Sequence, residues 1–132
     1  QSNAGSMFNT PPVFPVYTVL LNLRWIAKNG GVEGLGAKND EKSALIYNEI
    51  DRNPLFEGFA NTDDRSSMNA TFNLIDESHA AVFDPIWNNA NISGLKGHRS
   101  VGGYRASIYN ALSMESAQTL VDCMREFEKK LK

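Results

Sequence analysis

Residues 94–111 have the sequence GLKGHRSVGGYRASIYNA, in which two short segments flank a glycine-containing turn. We predict strands at 94–98 and 104–108, joined by a turn at 100–103. This hairpin decides the fold class, because an antiparallel sheet has a face that the helices of the same chain must cover.

The rest of the chain supplies those helices and further strands. Apolar and polar residues alternate over 68–75, as in a strand with one buried face. Strands are predicted at 56–59 and 68–75, helices at 12–28, 32–50 and 79–90, and a last helix after Ser113. This order predicts an α+β fold, with helices packed on a small, mainly antiparallel sheet.

Particular residues mark where the helices begin. Thr10, followed by Pro11, is the expected cap of the first helix, and Ser113 is the expected cap of the last. Pro85 must lie in the first turns of the third helix or kink it. Apolar residues recur at helical spacing after Ser113, so this last helix is predicted to pack on the sheet.

Composition indicates one domain. The chain has 132 residues, of which 42% are hydrophobic and 21% charged. Residues 1–4 resemble the remnant of a cleaved purification tag and are left out of the fold prediction. The single cysteine, Cys123, excludes an internal disulfide and suits a cytoplasmic protein; we expect it to be a partly buried apolar residue. The longest apolar stretch contains Asn22 and Arg24 and is too short to span a bilayer.

Charge is distributed unevenly. Residues 85–114 contain no aspartate or glutamate but include Lys96, Arg99 and Arg105 together with His98, whereas the rest of the chain has 10 basic and 15 acidic residues. The predicted hairpin would place His98 and Arg99 beside Tyr104 and Arg105. Clustered like charges favour an anionic ligand, and the planar guanidinium of arginine suits carboxylate or phosphate. The alternative is a solvated basic hairpin without a ligand.

Other chemistries have less support. His79 and His98 lack further ligands at metal spacing, so no metal site is predicted. A nucleic-acid interface would need a longer basic footprint with aromatic platforms. Neither Ser107 nor the pair at 66–67 has a base nearby in sequence. Residues 63–65, Asp-Asp-Arg, are expected to form a loop with local ion pairs. Lys96 suits either a Schiff base or the anion site.

The 94–111 run closely resembles the phosphoserine aminotransferases, which are class V, fold-type I enzymes that use pyridoxal phosphate. Residues 7–12, MFNTPP, and 65–72, RSSMNATF, resemble two further motifs of that family in the same order. The resemblance extends from about Gly5 to the C-terminus. It implies that residues 5–132 are the C-terminal small domain, and that the large cofactor-binding domain is absent from this chain.

The resemblance also implies an activity and a set of site residues. The family transfers an amino group from glutamate to 3-phosphohydroxypyruvate, giving 2-oxoglutarate and O-phosphoserine, as a cytoplasmic homodimer. The residue matching Arg105 binds the substrate carboxylate. Residues matching His98 and Arg99 bind the phosphate of substrate in the neighbouring subunit, and those matching Asn9 and Thr10 meet the cofactor phosphate across the dimer.

Two departures qualify the resemblance. The family's Schiff-base lysine lies in the large domain, so no catalytic residue is expected in this chain and the fragment alone should be inactive. Residues 76–93 match loosely, and the sequence DPIW at 84–87 is unlike the family's pattern. Two hypotheses follow: the chain is the substrate-binding part of an aminotransferase, or it is a stand-alone anion-binding module of related descent without catalysis.

Overall fold

A computed structural model describes Asn3, Gly5 and residues 8–132 of the chain. Most of the predicted tag remnant (Gln1, Ser2 and Ala4), and Met7 of the first motif, lie outside the described residues. The chain divides into two compact units, Gln1–Gly36 and Ala37–Lys132.

The first unit contains helix α1, Val13–Lys28, and the beginning of helix α2, Gly31–Arg52. The predicted cap of α1 is wrong. The N-cap residue is Pro12, which has no side-chain group that could cap a helix, and the backbone amide of Val13 donates to the carbonyl oxygen of Pro11 (2.8 Å). No residue of α1 is buried, although most of its side chains are apolar.

The second unit is built on a three-stranded antiparallel sheet in the order β1-β2-β3. Its elements after α2 are β1 (Phe56–Gly58), β2 (Asn69–Leu74), α3 (Ala80–Asn89), β3 (Tyr104–Ser107) and α4 (Met114–Leu131). In the register, Phe72 of β2 pairs with Gly58 on one side and Tyr104 on the other. The predicted α+β fold is confirmed.

One face of the sheet forms the core. Along β2, Ala70, Phe72 and Leu74 are buried while the residues between them are partly exposed, as the alternating sequence predicts. Phe72 packs against Phe56 and Tyr104, with ring centroids 5.6 and 5.3 Å apart, and α3 and α4 complete the cluster. The opposite face keeps polar side chains, and these lie beside the predicted site.

The two later helices begin as local sequence suggests. Ser113 Oγ accepts a hydrogen bond from the Ser116 amide (3.1 Å), so it caps α4 as predicted. Pro85 is the sixth of the ten residues of α3, in its second turn, and the helix follows a 3-10 turn at Glu77–His79. Cys123 is buried in α4, and burial raises the pKa of its thiol, as expected for an apolar role.

The predicted strand at 94–98 is reduced to one pairing, between Lys96 and Tyr104. The Arg105 amide donates to the Leu95 carbonyl (2.7 Å), and the Gly97 amide donates to the Gly103 carbonyl (2.8 Å). Gly94 has a φ of +71°, so the chain turns away from β3 before a longer ladder can form.

Candidate functional site

The candidate site is the basic hairpin, which we define as residues 95–105. The sequence predicts His98 and Arg99 beside Tyr104 and Arg105, and this prediction is wrong. Because Lys96 pairs with Tyr104, His98 and Arg99 lie in the turn itself. The amides of Val101 and Gly102 both donate to the His98 carbonyl, at 2.9 and 2.8 Å. The turn is therefore held by its own backbone.

Two glycines allow the hairpin to close. A Cβ atom at Gly97 would overlap the carbonyl oxygen of Gly102. Gly103 has a φ of +62°, and a Cβ there would overlap the side chain of Asn73 and lie 2.9 Å from the Phe72 carbonyl oxygen. A larger residue at Gly103 would force the turn away from β2, and one at Gly97 would force the two arms of the hairpin apart, so these glycines determine where the tip of the hairpin lies.

The imidazole of His98 is oriented by Ser100. Its Nδ1 atom lies 2.7 Å from Ser100 Oγ and accepts from the Ser100 amide at 3.3 Å. A ring nitrogen that accepts an N–H cannot carry a proton, so neutral His98 carries its proton on Nε2. The ring is exposed, and Nε2 is thus a donor for an external acceptor.

Two grooves run beside the turn and meet at His98. The tip groove, of about 330 Å³, is lined by His98, Arg99 and Lys96, with Asn73 and Glu77 opposite. The side groove, of about 170 Å³, is lined by His98 and Arg105 together with Thr71 and Phe59. His98 therefore shares one groove with each arginine, while Arg99 and Arg105 line different grooves.

The charges of the basic hairpin fall into two kinds. Lys96 Nζ forms an ion pair with Asp84 of α3 at 2.5 Å. Within the described part of the chain, Arg99 and Arg105 have no carboxylate partner, and both are exposed. These two guanidinium groups thus remain available to an anion.

Arg105 lies on the polar face of the sheet. It is the exposed position of β3, directly opposite Thr71 on β2. Its neighbours along the strand, Tyr104 and Ala106, point into the core and hold the backbone in place. A rigid strand presenting an unpaired guanidinium suits two-point recognition of a carboxylate.

Asn9 and Thr10 belong to the first unit and precede α1. Both are exposed, and their amide and hydroxyl groups can donate hydrogen bonds to phosphate oxygens. The side chains of Asn9 and Thr10 are therefore chemically suitable for the predicted contacts with the cofactor phosphate.

Sequence inspection missed two polar side chains that shape the site. Asp84 of α3 forms an ion pair with Lys96 of the basic hairpin. Lys42 of α2 is buried and donates to the carbonyl oxygens of Ile108, Tyr109 and Leu112 at 3.0–3.1 Å, which fixes the chain just after β3. Burial lowers the pKa of the Lys42 ammonium. The absence of acidic residues at 85–114 indicated a cationic site, but no feature of the sequence indicated that Asp84 and Lys42 would contact this segment.

Other candidate chemistries find little support in the geometry. The described residues contain no group of three or more His, Cys, Asp or Glu side chains placed to hold a metal ion. None of the helices described is long and apolar enough to cross a bilayer. Arg65 pairs with Asp51 of α2 (2.6 Å), so the expected local pairing with Asp63 and Asp64 is wrong.

Comparisons with known proteins identify the family of the chain. The profile of the family "Aminotransferase class-V" matches residues 1–120. A phosphoserine aminotransferase of Flavobacterium psychrophilum is 57% identical over 128 residues, which are 97% of this chain and 36% of that protein. One from Bacteroides thetaiotaomicron is 54% identical over 127 residues.

Solved structures give the same result. The phosphoserine aminotransferase from Bacillus circulans subsp. alkalophilus superposes with a TM-score of 0.89 at 42% identity, covering 99% of this chain and 37% of that one. The pyridoxal-phosphate-bound enzyme from Trichomonas vaginalis gives a TM-score of 0.81 at 37% identity, covering 95% and 36%. The chain thus spans about a third of the length of these relatives, and it belongs to the class-V aminotransferase family.

Proposed function

We propose that residues 5–132 are the C-terminal small domain of a cytoplasmic phosphoserine aminotransferase, and that residues 1–4 are a tag remnant. The complete enzyme transfers the amino group of glutamate to 3-phosphohydroxypyruvate, giving 2-oxoglutarate and O-phosphoserine. The observation that carries this proposal is the basic hairpin, on which Arg99 and Arg105 have no carboxylate partner among the described residues. Both substrates are carboxylates and one also carries phosphate.

The two grooves support a division of roles. Arg105, held on β3, binds the α-carboxylate that both substrates share. His98 and Arg99, at the turn, bind the phosphate of substrate held by the neighbouring subunit. The exposed Nε2 donor of His98 supports this assignment, because a phosphate accepts several hydrogen bonds at once.

The cofactor of the complete enzyme is pyridoxal phosphate, which supplies the electron sink for amino-group transfer. Asn9 and Thr10 would hold its phosphate through their side-chain donors. Two lysines of this chain are already committed to other partners: Lys42 donates to three carbonyls, and Lys96 pairs with Asp84. Asn9 and Thr10 therefore suit the phosphate of the cofactor, and its covalent attachment is assigned to a lysine of the large domain.

Helix α1 supports a homodimeric enzyme. Phe14, Tyr17 and Leu20 are 77%, 53% and 40% exposed, and apolar residues lie on every side of this helix. A helix that is apolar all round is normally buried all round. In the complete protein, the remaining polypeptide and a second subunit would cover it.

The experiment is to assay the full-length gene product for amino transfer from glutamate to 3-phosphohydroxypyruvate, with the 132-residue chain as the comparison. We expect 2-oxoglutarate from the full-length protein and none from the chain alone. Saturable phosphate binding by a full-length product without transamination would favour the stand-alone anion-binding module. A stoichiometric, saturable pyridoxal phosphate complex of the chain that vanishes only with Lys96→Met would contradict the assignment of attachment to the large domain.

A further inference from the structure

Asp84 joins three separate parts of the fold. Its Oδ1 atom accepts from Tyr104 Oη at 2.8 Å and from Trp87 Nε1 at 3.2 Å, and its Oδ2 atom pairs with Lys96 Nζ at 2.5 Å. Asp84 and Trp87 lie on α3, Tyr104 begins β3, and Lys96 lies on the opposite arm of the basic hairpin. One carboxylate thus ties both arms of the hairpin to a helix.

Lys96 is held by more than the ion pair. Its Nζ atom lies 3.3 Å from Tyr104 Oη and 4.7 Å from the centre of the Tyr104 ring, close enough for a cation–π contact. The Asp84 side chain is 28% exposed and that of Lys96 is 53% exposed, so solvent screens this pair mainly from the lysine side. Burial disfavours ionisation of Asp84, but the hydrogen bonds from Lys96, Tyr104 and Trp87 outweigh it and lower the pKa of the carboxyl.

The network stands at the base of the turn. Lys96 and Tyr104 form the last paired position of the two arms, and His98 follows Lys96 by two residues. Beyond that pair, backbone hydrogen bonds alone join the arms within the described structure: the Gly97 amide donates to the Gly103 carbonyl, and the amides of Val101 and Gly102 donate to the His98 carbonyl. Any change in the angle between the arms at Lys96 is therefore passed to the side chains that line the tip groove.

We propose that Asp84 is a positioning residue for the anion site: through Lys96 and Tyr104, it fixes the base of the basic hairpin against α3 and so aims His98 and Arg99 into the tip groove. The proposal rests on the proposed function for its substrate but on geometry for its mechanism. It assigns a role to the first residue of the DPIW segment at 84–87. Asp84 itself touches no substrate.

The direct test needs no enzymatic activity. Backbone ¹H–¹⁵N heteronuclear NOEs of residues 98–102 should match those of β3 in the 132-residue chain. They should fall towards values typical of a flexible loop in Asp84→Asn and in Lys96→Met, which breaks the same pair from its more exposed side. The matched control is Asp51→Asn, which removes an aspartate–arginine pair that involves no residue of the hairpin. Unchanged NOEs in both variants would overturn the proposal.

The functional test uses the full-length gene product. Asp84→Asn should raise KM for 3-phosphohydroxypyruvate about tenfold, as expected for loss of one charge-assisted contact, and leave KM for glutamate and kcat within about twofold. A general loss of fold would lower kcat and affect both substrates. The double variant Asp84→Asn/Lys96→Gln removes both charges and should remain impaired. If it regained the original KM, charge neutralisation and not positioning would be the role of Asp84.

The two tests separate failure of this inference from failure of the proposed function. If the full-length protein does not use 3-phosphohydroxypyruvate, the assignment of substrate is wrong, and the NOE experiment still decides whether Asp84 orders the turn. If the NOEs fall but both KM values stay unchanged, Asp84 orders the turn without serving the site, and the proposal is overturned.

Discussion

The five arginines of residues 37–132 divide into two groups. Arg52, Arg65 and Arg125 each bond a carboxylate, with distances between 2.6 and 3.1 Å. Arg99 and Arg105 bond none in the described structure. The paired arginines join α2 to the elements packed against it, whereas the unpaired ones lie on the basic hairpin. The same residue type thus stabilises the fold where its charge is matched and is available for a ligand where it is not.

The centre of the paired group is Glu49, whose side chain is 1% exposed. Its carboxylate accepts hydrogen bonds from three side chains. The donors are Arg52 at the end of the same helix, Asn53 directly after it, and Arg125 of α4. A buried carboxylate is costly unless it is fully bonded, so this arrangement is a packing requirement of the α2–α4 contact. No comparable acidic group faces Arg99 or Arg105 at hydrogen-bond distance in the described residues.

The largest effect is expected for Arg99→Ala in the full-length enzyme. Loss of a charge-assisted contact typically costs about 1.5–3 kcal/mol, so kcat/KM for the phosphorylated substrate should fall roughly ten- to a hundredfold. Glutamate has no phosphate and should be little affected. Both half-reactions are measured, with Arg125→Ala as the matched variant from the paired group. Equal impairment of both substrates by Arg99→Ala would contradict the division of roles.

Glu49→Gln should have the next largest effect, this time on the fold. The change leaves Arg52 and Arg125 without their buried partner, and we expect the free energy of unfolding to fall by about 1.5–3 kcal/mol. Chemical denaturation of the chain measures it. Glu49→Gln should leave the ratio of the two kcat/KM values of the full-length enzyme unchanged; a changed ratio would show that the two groups of arginines are coupled.

The same carboxylate predicts a pH dependence. Burial disfavours its ionisation, but bonds from Arg52, Arg125 and Asn53 outweigh burial and lower its pKa below the ordinary 4.5. A lowered pKa means that the unfolded chain binds more protons, so stability is fully present above pH 4.5 and is lost as the pH falls through the folded-state pKa. In denaturation series at several pH values, the free energy of unfolding should fall less steeply with decreasing pH in Glu49→Gln than in the unsubstituted chain. If the unsubstituted chain and Glu49→Gln had the same slope, Glu49 would not be a source of the pH dependence.

Arg105→Lys should have a smaller effect on the full-length enzyme. Lysine keeps the charge but cannot form two parallel bonds with a carboxylate, so kcat/KM should fall about tenfold. Because both substrates carry the α-carboxylate, both should fall by a similar factor, unlike in Arg99→Ala. Selective loss of the phosphorylated substrate would instead assign Arg105 to the phosphate.

The smallest effect is expected for Asp51→Asn. Its pair with Arg65 has good geometry and Arg65 is 14% exposed, but Asp51 itself is 52% exposed, so solvent screens the pair from one side and we expect a contribution of about 1 kcal/mol. The free energy of unfolding should therefore change less than in Glu49→Gln. A loss as large as that of Glu49→Gln would show that exposure does not separate the strong pairs from the weak ones.

Much of the fold could be predicted from local patterns. The alternation along β2 and the serine cap of α4 each depend on neighbours a few residues away, and the structure has both. The strand predicted at 94–98 is reduced to a single pairing in the structure. Its length depends on the turn at Gly94 and on the Gly97–Gly103 contact, so pairing register followed from backbone clearance and not from residue type.

The sequence by itself identified the family and indicated that cations collect between residues 85 and 114. Only the tertiary structure decided which cations of the chain are neutralised, inside that range and outside it. Arg65 bonds Asp51 and not the adjacent Asp63 or Asp64, and Lys96 bonds Asp84, twelve residues away. Ion pairing depends on distances of a few ångströms between side chains, and these distances are determined when α2 and α3 pack against the sheet.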